Sequence, residues 1–232
     1  MRRSTMKRIS LVVIALLFVL APTSPASAQA TLSLTGGVNL STLAADAPSA
    51  REVWHSESLA RMSIGLAATI PASKHVGVQL GVAYAQKGGR LSGLDNRQLV
   101  TVDMALDYFE FTLLAVPTLP LSSWERSSVR FFVGPSLASR VSCEFDASGW
   151  LGAEHVAAAG SCDAGQDEIE AAMDLGIALG GGIVVGVTDR ADLSVDLLYT
   201  LGLIPVGGGD RYSSGPRHRV LTLRAGMALP IG

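Results

Sequence analysis

Few residues of this chain are equipped for chemistry. The histidines His55, His75, His155 and His218 show no helical metal spacing. None stands with a serine and an acid in a recognisable triad. His55 with Ser56 or Ser58 is the one faint candidate for a nucleophilic, lipid-modifying centre; exposed loop residues are the plainer reading. The run Gly180-Gly181-Gly182 lacks the spacing and the following helix of a phosphate loop, and reads better as strand in a tight space. Between Val141 and Ala172 stand seven acids and no Lys or Arg. Of these, Glu144, Asp146, Asp163 and Asp167 could offer oxygen ligands to Ca²⁺ or Mg²⁺, against the plainer reading of a solvated acidic loop. Arg217 and Arg219, next to His218 and near Arg211, form a basic group able to hold phosphates or to face the acidic loop. No cofactor motif is present, and no catalytic residue is assigned.

Two cysteines, Cys143 and Cys162, flank part of the acidic segment. In an oxidising compartment such a pair is expected as a disulfide, worth roughly 3 kcal/mol for a closed loop of about 20 residues. Two sulfurs alone make a poor zinc site.

That compartment is indicated by the N-terminus. Arg2, Arg3, Lys7 and Arg8 precede the apolar run Ile9–Ala21, and Ala26-Ser27-Ala28 ends the segment. This is the plan of a secretory signal over residues 1–28, leaving a domain at 29–232. The formal charge of −2 becomes −6 without those four cations, which speaks against nucleic acid as a partner.

The elements that must position these residues follow from composition and period. The 232 residues are 48 % apolar and only 16 % charged, yet after the start no apolar run reaches the length of a membrane helix. The apolar residues alternate instead. Leu32, Leu34, Val38 and Leu40 oppose Thr31, Ser33, Thr35 and Asn39. The same two-residue period recurs over Arg61–Ile70, Val76–Lys87, Leu99–Val116, Val129–Ser142, Ile169–Val187, Leu193–Leu203 and Arg219–Leu229. Phase becomes unclear near Glu110. Connections at Ser41–Ser58, Gly88–Gln98, Cys143–Glu168 and Ile204–His218 are long; Pro71–His75 and Thr188–Asp192 are short. The pattern predicts an all-β fold, an eight-stranded antiparallel up-and-down transmembrane β-barrel.

Orientation decides between a soluble and a membrane barrel. The non-apolar face is mostly Gly, Ala, Ser and Thr, a poor soluble exterior but a good narrow interior. Arg61, Arg140, Asp174, Asp196 and Arg224 share its phase, and are expected inside the lumen, pairing with one another. The Leu, Val, Ile and Met rows then face lipid. Tyr84 and Tyr199 are the best candidates for an interfacial girdle.

Several segments resemble the bacterial outer-membrane β-barrel family often labelled porin family or PorT-like. These are Gly37-Val38-Asn39-Leu40-Ser41, Tyr84-Ala85-Gln86-Lys87-Gly88, Leu106-Asp107-Tyr108-Phe109-Glu110, Phe132-Val133-Gly134-Pro135, the stretch from Asp174 to Gly182, and Leu198-Tyr199-Thr200-Leu201-Gly202-Leu203. The resemblance spans nearly the whole exported chain. It implies an eight-stranded barrel in the outer membrane of a diderm bacterium, with relatives linked in some cases to secretion. The partners then expected are outer-membrane lipid and lipopolysaccharide, the barrel assembly machinery, and an unidentified envelope protein. Eight strands leave room only for side chains, so a filled lumen with a structural or surface role is the leading expectation. A rim lipid-modifying enzyme, a small-solute channel and a secretion accessory are the alternatives.

Overall fold

A strand in hydrocarbon must pair every peptide group within the protein, and only a closed sheet leaves no edge. The computed structural model describes residues 29–44, 54–95, 98–122, 126–151, 154–161, 173–204 and 217–231. The expected signal, residues 1–28, lies outside them. The strands are β1 Ala30–Ala44, β2 Trp54–Glu57, β3 Leu59–Pro71, β4 Val76–Asp95, β5 Gln98–Pro120, β6 Ser127–Leu151, β7 Glu154–Ser161, β8 Met173–Thr188, β9 Ala191–Gly202 and β10 Arg217–Ile231. Eight of them form the wall in the order β4-β3-β1-β10-β9-β8-β6-β5, and β5 pairs back onto β4 to close it. All of these pairings are antiparallel.

The ladders fix the geometry of closure. One rung runs from Tyr108 through Ala85, Ser63, Gly37, Arg224, Asp196, Gly182 and Arg130, and returns to β5 at Thr118. The wall therefore closes with a displacement of ten residues, Tyr108 to Thr118. With a rise of about 3.3 Å per residue and about 4.8 Å between strands, that shear tilts the strands by about 40°.

The apolar rows point outward. Leu34 is 53 % exposed, Met62 59 % and Leu223 55 %, whereas Asp196 and Lys87 are each 1 % exposed. In β9 the outward Leu193, Val195 and Leu197 alternate with the buried Ser194, Asp196 and Leu198. The orientation expected from sequence is the one observed.

Two expectations need correction. The segment Gly88–Gln98 is not a free loop: β4 and β5 continue paired to Asp95 opposite Gln98. Cys143–Glu168 likewise starts as strand, because β6 runs on to Leu151 and β7 folds back on it from Leu151/Glu154 to Glu144/Ser161. Beyond the apolar band two-stranded ribbons satisfy backbone groups that a loop would leave to water. The irregularity expected near Glu110 is present, at Asp107/Tyr108, where the β5–β6 register shifts and Val141 becomes the extra residue. Glu110 itself keeps the inward phase.

At the short-turn end, Arg126 takes a left-handed φ of 62°. Its guanidinium reaches Asp189 at 2.8 Å and donates to the Thr188 carbonyl, while the Gly186 amide donates to the Arg126 carbonyl at 2.9 Å. The β5–β6 and β8–β9 turns are thereby clipped together.

The orientation is testable. Leu223→Arg places a cation on the lipid-facing row and is expected to cost about 2–4 kcal/mol in urea unfolding from bilayers. An unchanged unfolding free energy would contradict the assignment of that face.

Candidate functional site in the lumen and at the outer rim

The closure rung carries the central ion network. Arg224 of β10 lies directly opposite Asp196 of β9, and Gly182 of β8 lies opposite Asp196 on its other side. A Cβ on Gly182 would run into the Asp196 carboxylate. The gap lets Arg130, one strand further on, reach across. Arg130 donates from Nε to Asp196 Oδ1 at 2.9 Å and from Nη2 to Oδ2 at 2.8 Å. Arg224 Nε donates to Oδ2 at 3.0 Å, and its Nη2 to Gln79 Oε1 at 3.3 Å. Both guanidinium groups rest near the Phe132 ring, at 5.1 and 5.3 Å from its centroid. A two-pronged contact plus a second cation satisfies the buried carboxylate, which otherwise would be costly to enclose.

A second cluster sits higher in the lumen. Lys87 Nζ lies 2.8 Å from Glu110 Oε2 and 3.8 Å from Asp174 Oδ2. Ser136 donates to Glu110 at 2.7 Å, and Lys87 stands 5.1 Å over the Tyr108 ring. Tyr108 is hydrogen-bonded to His218 Nε2 at 3.2 Å, with the two rings edge to face. The three cations Arg130, Arg224 and Lys87 face the three carboxylates Asp196, Glu110 and Asp174, so the two clusters carry no net charge. Asp174 Oδ1 and His218 Nδ1 have no hydrogen-bond partner among the described residues.

The rest of the lumen is small or apolar. Leu114, Val116, Phe132, Ala178 and Leu198 form a buried cluster. Beside it a cavity of about 60 Å³ is bordered by Thr35, Asn39, Glu110, Thr112 and Arg224. Cavities of that size and polarity hold a few waters rather than a ligand.

Of the charges expected in the lumen, Asp196 and Arg224 do pair with one another. Asp174 pairs instead with Lys87. Arg140 lies opposite Tyr108 in the upper lumen, and Arg61 opposite Asn39 on the inner face of β3. Arg130, Glu110, Gln79 and Phe132 were not foreseen as members. Their signal was parity: Arg130 and Phe132 share phase with Gly134 and Ser136, and Lys87 with Gln79 and Gly81.

The outer rim differs from its expectation in one respect. His218 is not part of an exposed basic group; it is 1 % exposed inside the lumen. Arg217 and Arg219 continue the outward row of β10 beyond Leu221 and Leu223, with Arg219 exposed. Glu144 and Asp146 are exposed on β6, while Asp163 and Asp167 lie outside the described residues. Strands β8 and β9 stand between β6 and β10, so the described acids are not neighbours of these arginines. Among the described residues no group of three His, Cys, Asp or Glu side chains comes together as a metal site. Cys143 is buried and is not a free thiol; Cys162 lies outside the described residues. Tyr84 packs edge-on against Phe109 and donates to Asp107 at 2.7 Å, which also accepts from Ser142 at 3.1 Å. Tyr199 lies on the outward row of β9. His55 pairs with Ser92 in the β2–β4 ladder, Ser56 donates to the Leu43 carbonyl at 2.8 Å, and Ser58 bonds Thr42 at 2.6 Å. These hydroxyls secure the top of β1 and make no triad with His55.

Removing the shared anion tests the network. Asp196→Ala leaves two lumen guanidinium groups facing each other and is expected to cost about 3–5 kcal/mol in urea unfolding. Gly182→Ala should also destabilise, through collision with the Asp196 carboxylate and the Val195 carbonyl, and shed only the carboxylate's share of that penalty in the Asp196→Ala background. Additive effects of the two substitutions would reject the contact.

A comparison with curated proteins finds no match. Among solved structures, Neisserial surface protein A is 14 % identical over 86 % of this chain and 97 % of its own, with a TM-score of 0.42. The attachment invasion locus protein Ail of Yersinia pestis is 13 % identical over 87 % and 100 %, with a TM-score of 0.41. The outer membrane protein OprG of Pseudomonas aeruginosa is 13 % identical over 88 % and 96 %, with a TM-score of 0.48. A family model described as the outer membrane protein beta-barrel domain matches residues 24–207, most of the wall described above. The chain belongs to that family and is an outer-membrane β-barrel protein.

Proposed function

We propose that this barrel works at its outer rim as a non-enzymatic surface scaffold, with a lumen closed to solute. The observation that carries the reading is the contrast between the two halves. The lumen is occupied by two ion clusters whose opposite charges offset one another and by an apolar plug. By contrast the β4–β5 and β6–β7 ribbons continue beyond the outward apolar rows, and residues His55–Glu57 and His155–Ser161 are exposed.

Two attachments hold such a rim. Arg217 and Arg219 lie where the outward row of β10 leaves the apolar band, the depth at which lipopolysaccharide phosphates accept charge-assisted hydrogen bonds. A Cys143–Cys162 disulfide anchors the β6–β7 ribbon. The sequence neighbours of the two cysteines, Glu144 and Ser161, face each other as the last pair of that ladder. The short turns and both chain ends then belong to the periplasmic side.

Two measurements test this. In planar bilayers the purified barrel is expected to give no steady conductance. From outer membranes, the Arg217→Gln, Arg219→Gln double variant is expected to retain at least threefold less lipopolysaccharide per barrel than the unmodified chain. A sustained single-channel current would overturn the closed lumen, and equal lipid retention would overturn the role of the arginines.

A further inference from the structure

Above the apolar band the wall changes partners. The β3–β4 ladder ends at Ser63/Ala85, and β2 takes over that edge of β4 from Glu57/Arg90. In between, β4 is held to β1. The Ser41 hydroxyl donates to the Gly88 carbonyl at 2.6 Å, and the Gly88 amide donates to the Ser41 oxygen at 2.9 Å. Arg61 of β3 stays paired to Asn39 of β1 but has no β4 residue opposite it. Its guanidinium makes no hydrogen bond among the described residues, and its Nε is buried without a partner.

Two neighbouring strands bring acids to the same place. Asp103 lies opposite Asp146, and Ala105 opposite Glu144. Asp146 in turn lies opposite Ala159, and Glu144 opposite Ser161. Residues two apart on a strand share a face, so all six stand on one face of the β5–β6–β7 sheet. Like charges directly opposite in a ladder repel. Arg90 offsets Asp103 alone, donating from Nε to Oδ1 at 2.6 Å and from Nη2 to Oδ2 at 2.7 Å. These bonds from Arg90, joined by the charge of Arg61, hold the Asp103 carboxyl below the usual carboxylate range. Glu144 and Asp146 are exposed and have no ion-pair partner among the described residues.

An open cavity of about 570 Å³ joins these groups, bordered by Arg61, Asp103, Glu144, Phe145, Asp146 and Gly160. That volume lies within the range of small-molecule sites. Gly160 leaves the Phe145 ring uncovered on one side, since a Cβ there would lie 3.1 Å from a ring carbon. Counted with Arg90, two cations meet three carboxylates, a surplus of one negative charge. The acids are strung along the ladder and do not gather as metal ligands do.

We propose that this rim cavity binds a small zwitterion with surplus positive charge, of the class of a basic amino acid. The Arg61 guanidinium holds the ligand carboxylate, and Glu144 and Asp146 hold its ammonium groups beside the Phe145 ring. The groups left over in the folded chain select that class. A ligand without a carboxylate leaves Arg61 with no acceptor, and one without a surplus ammonium leaves the acids uncompensated. The assignment rests on the outer rim being the working end of the barrel, and adds the chemistry of what that end takes.

The probe is L-lysine, titrated calorimetrically into the full folded barrel in lipid nanodiscs. The unmodified chain is expected to bind it with a Kd in the millimolar range or tighter. Cadaverine, which lacks the carboxylate, and norleucine, which lacks the side-chain ammonium, are each expected to bind at least fivefold more weakly. Arg61→Gln is expected to weaken L-lysine at least fivefold and to leave cadaverine no weaker. Glu144→Gln combined with Asp146→Asn is expected to weaken both ligands at least fivefold. Should Arg61→Gln fail to fold, the contrast of L-lysine with cadaverine on the unmodified barrel decides. No binding of L-lysine up to about 10 mM would overturn the site. So would cadaverine binding as tightly as L-lysine, or unchanged L-lysine binding in the double acid variant. Heat from Ca²⁺ but not from L-lysine, lost in that variant, would overturn the zwitterion in favour of a metal ion. Conductance and lipopolysaccharide retention are measured separately, so this site and the rim scaffold can fail independently.

Discussion

Everything in this molecule follows from the absence of water around its middle. A peptide group that is unpaired in hydrocarbon costs several kcal/mol, so the sheet has to close. Closing eight strands with a shift of ten residues fixes their tilt, and with it an interior only wide enough for side chains. Small residues are then required wherever two inward chains would otherwise collide. Gly182 shows the consequence at a single atom, because the space its missing side chain leaves is taken by the Asp196 carboxylate.

Inside that narrow space charge is a means of fixing position. Replacing a buried ion pair with well-packed apolar residues is often neutral or stabilising, so the Arg130–Asp196–Arg224 group is weak evidence of added stability. What it supplies is register. Arg224 meets Asp196 across one ladder, and Arg130 meets it only by crossing the Gly182 gap of the next. A shift of any of these strands by one residue would turn its partner toward lipid. The charged rung therefore ties together β6, β8, β9 and β10, half of the wall, at one defined shear.

The fold was largely legible in the sequence, and for one reason. A membrane barrel writes its two environments into alternate residues, and a period of two needs no knowledge of pairing partners. Asp196 and Arg224 were readable as lumen residues from that parity alone. Their third member, Arg130, shares that parity, but the contrast between the faces is lost beside it because Phe131 faces lipid and Phe132 faces the lumen, and both are apolar. Period also says nothing about strand length beyond the membrane. Above the apolar band both faces are wet, so Gly88–Gln98 and Cys143–Leu151 read as loops although their backbones remain paired. The inward position of His218 is masked for a related reason. It lies between two arginines, and only the alternation of β10 turns it inward while they turn out.

The prolines of the β5–β6 seam bring the same constraint to its limit. A closed wall opens only by giving up rungs, and over most of this barrel each rung given up exposes an N–H and a C=O to hydrocarbon. Between Thr112 and Thr118 two donors are absent from the start, because Pro117 and Pro135 carry no N–H, and only the carbonyls opposite them lose a partner. The same stretch is joined by packing as well: Leu114 and Val116 from β5 meet Phe132 from β6, with Ala178 and Leu198 behind them. Dispersion contacts are non-directional and reform after a displacement of a few ångströms, whereas a hydrogen bond is lost outright once its geometry fails. Along this stretch the seam therefore leans more on side-chain contact, and less on peptide groups, than the continuous β1–β10 ladder does.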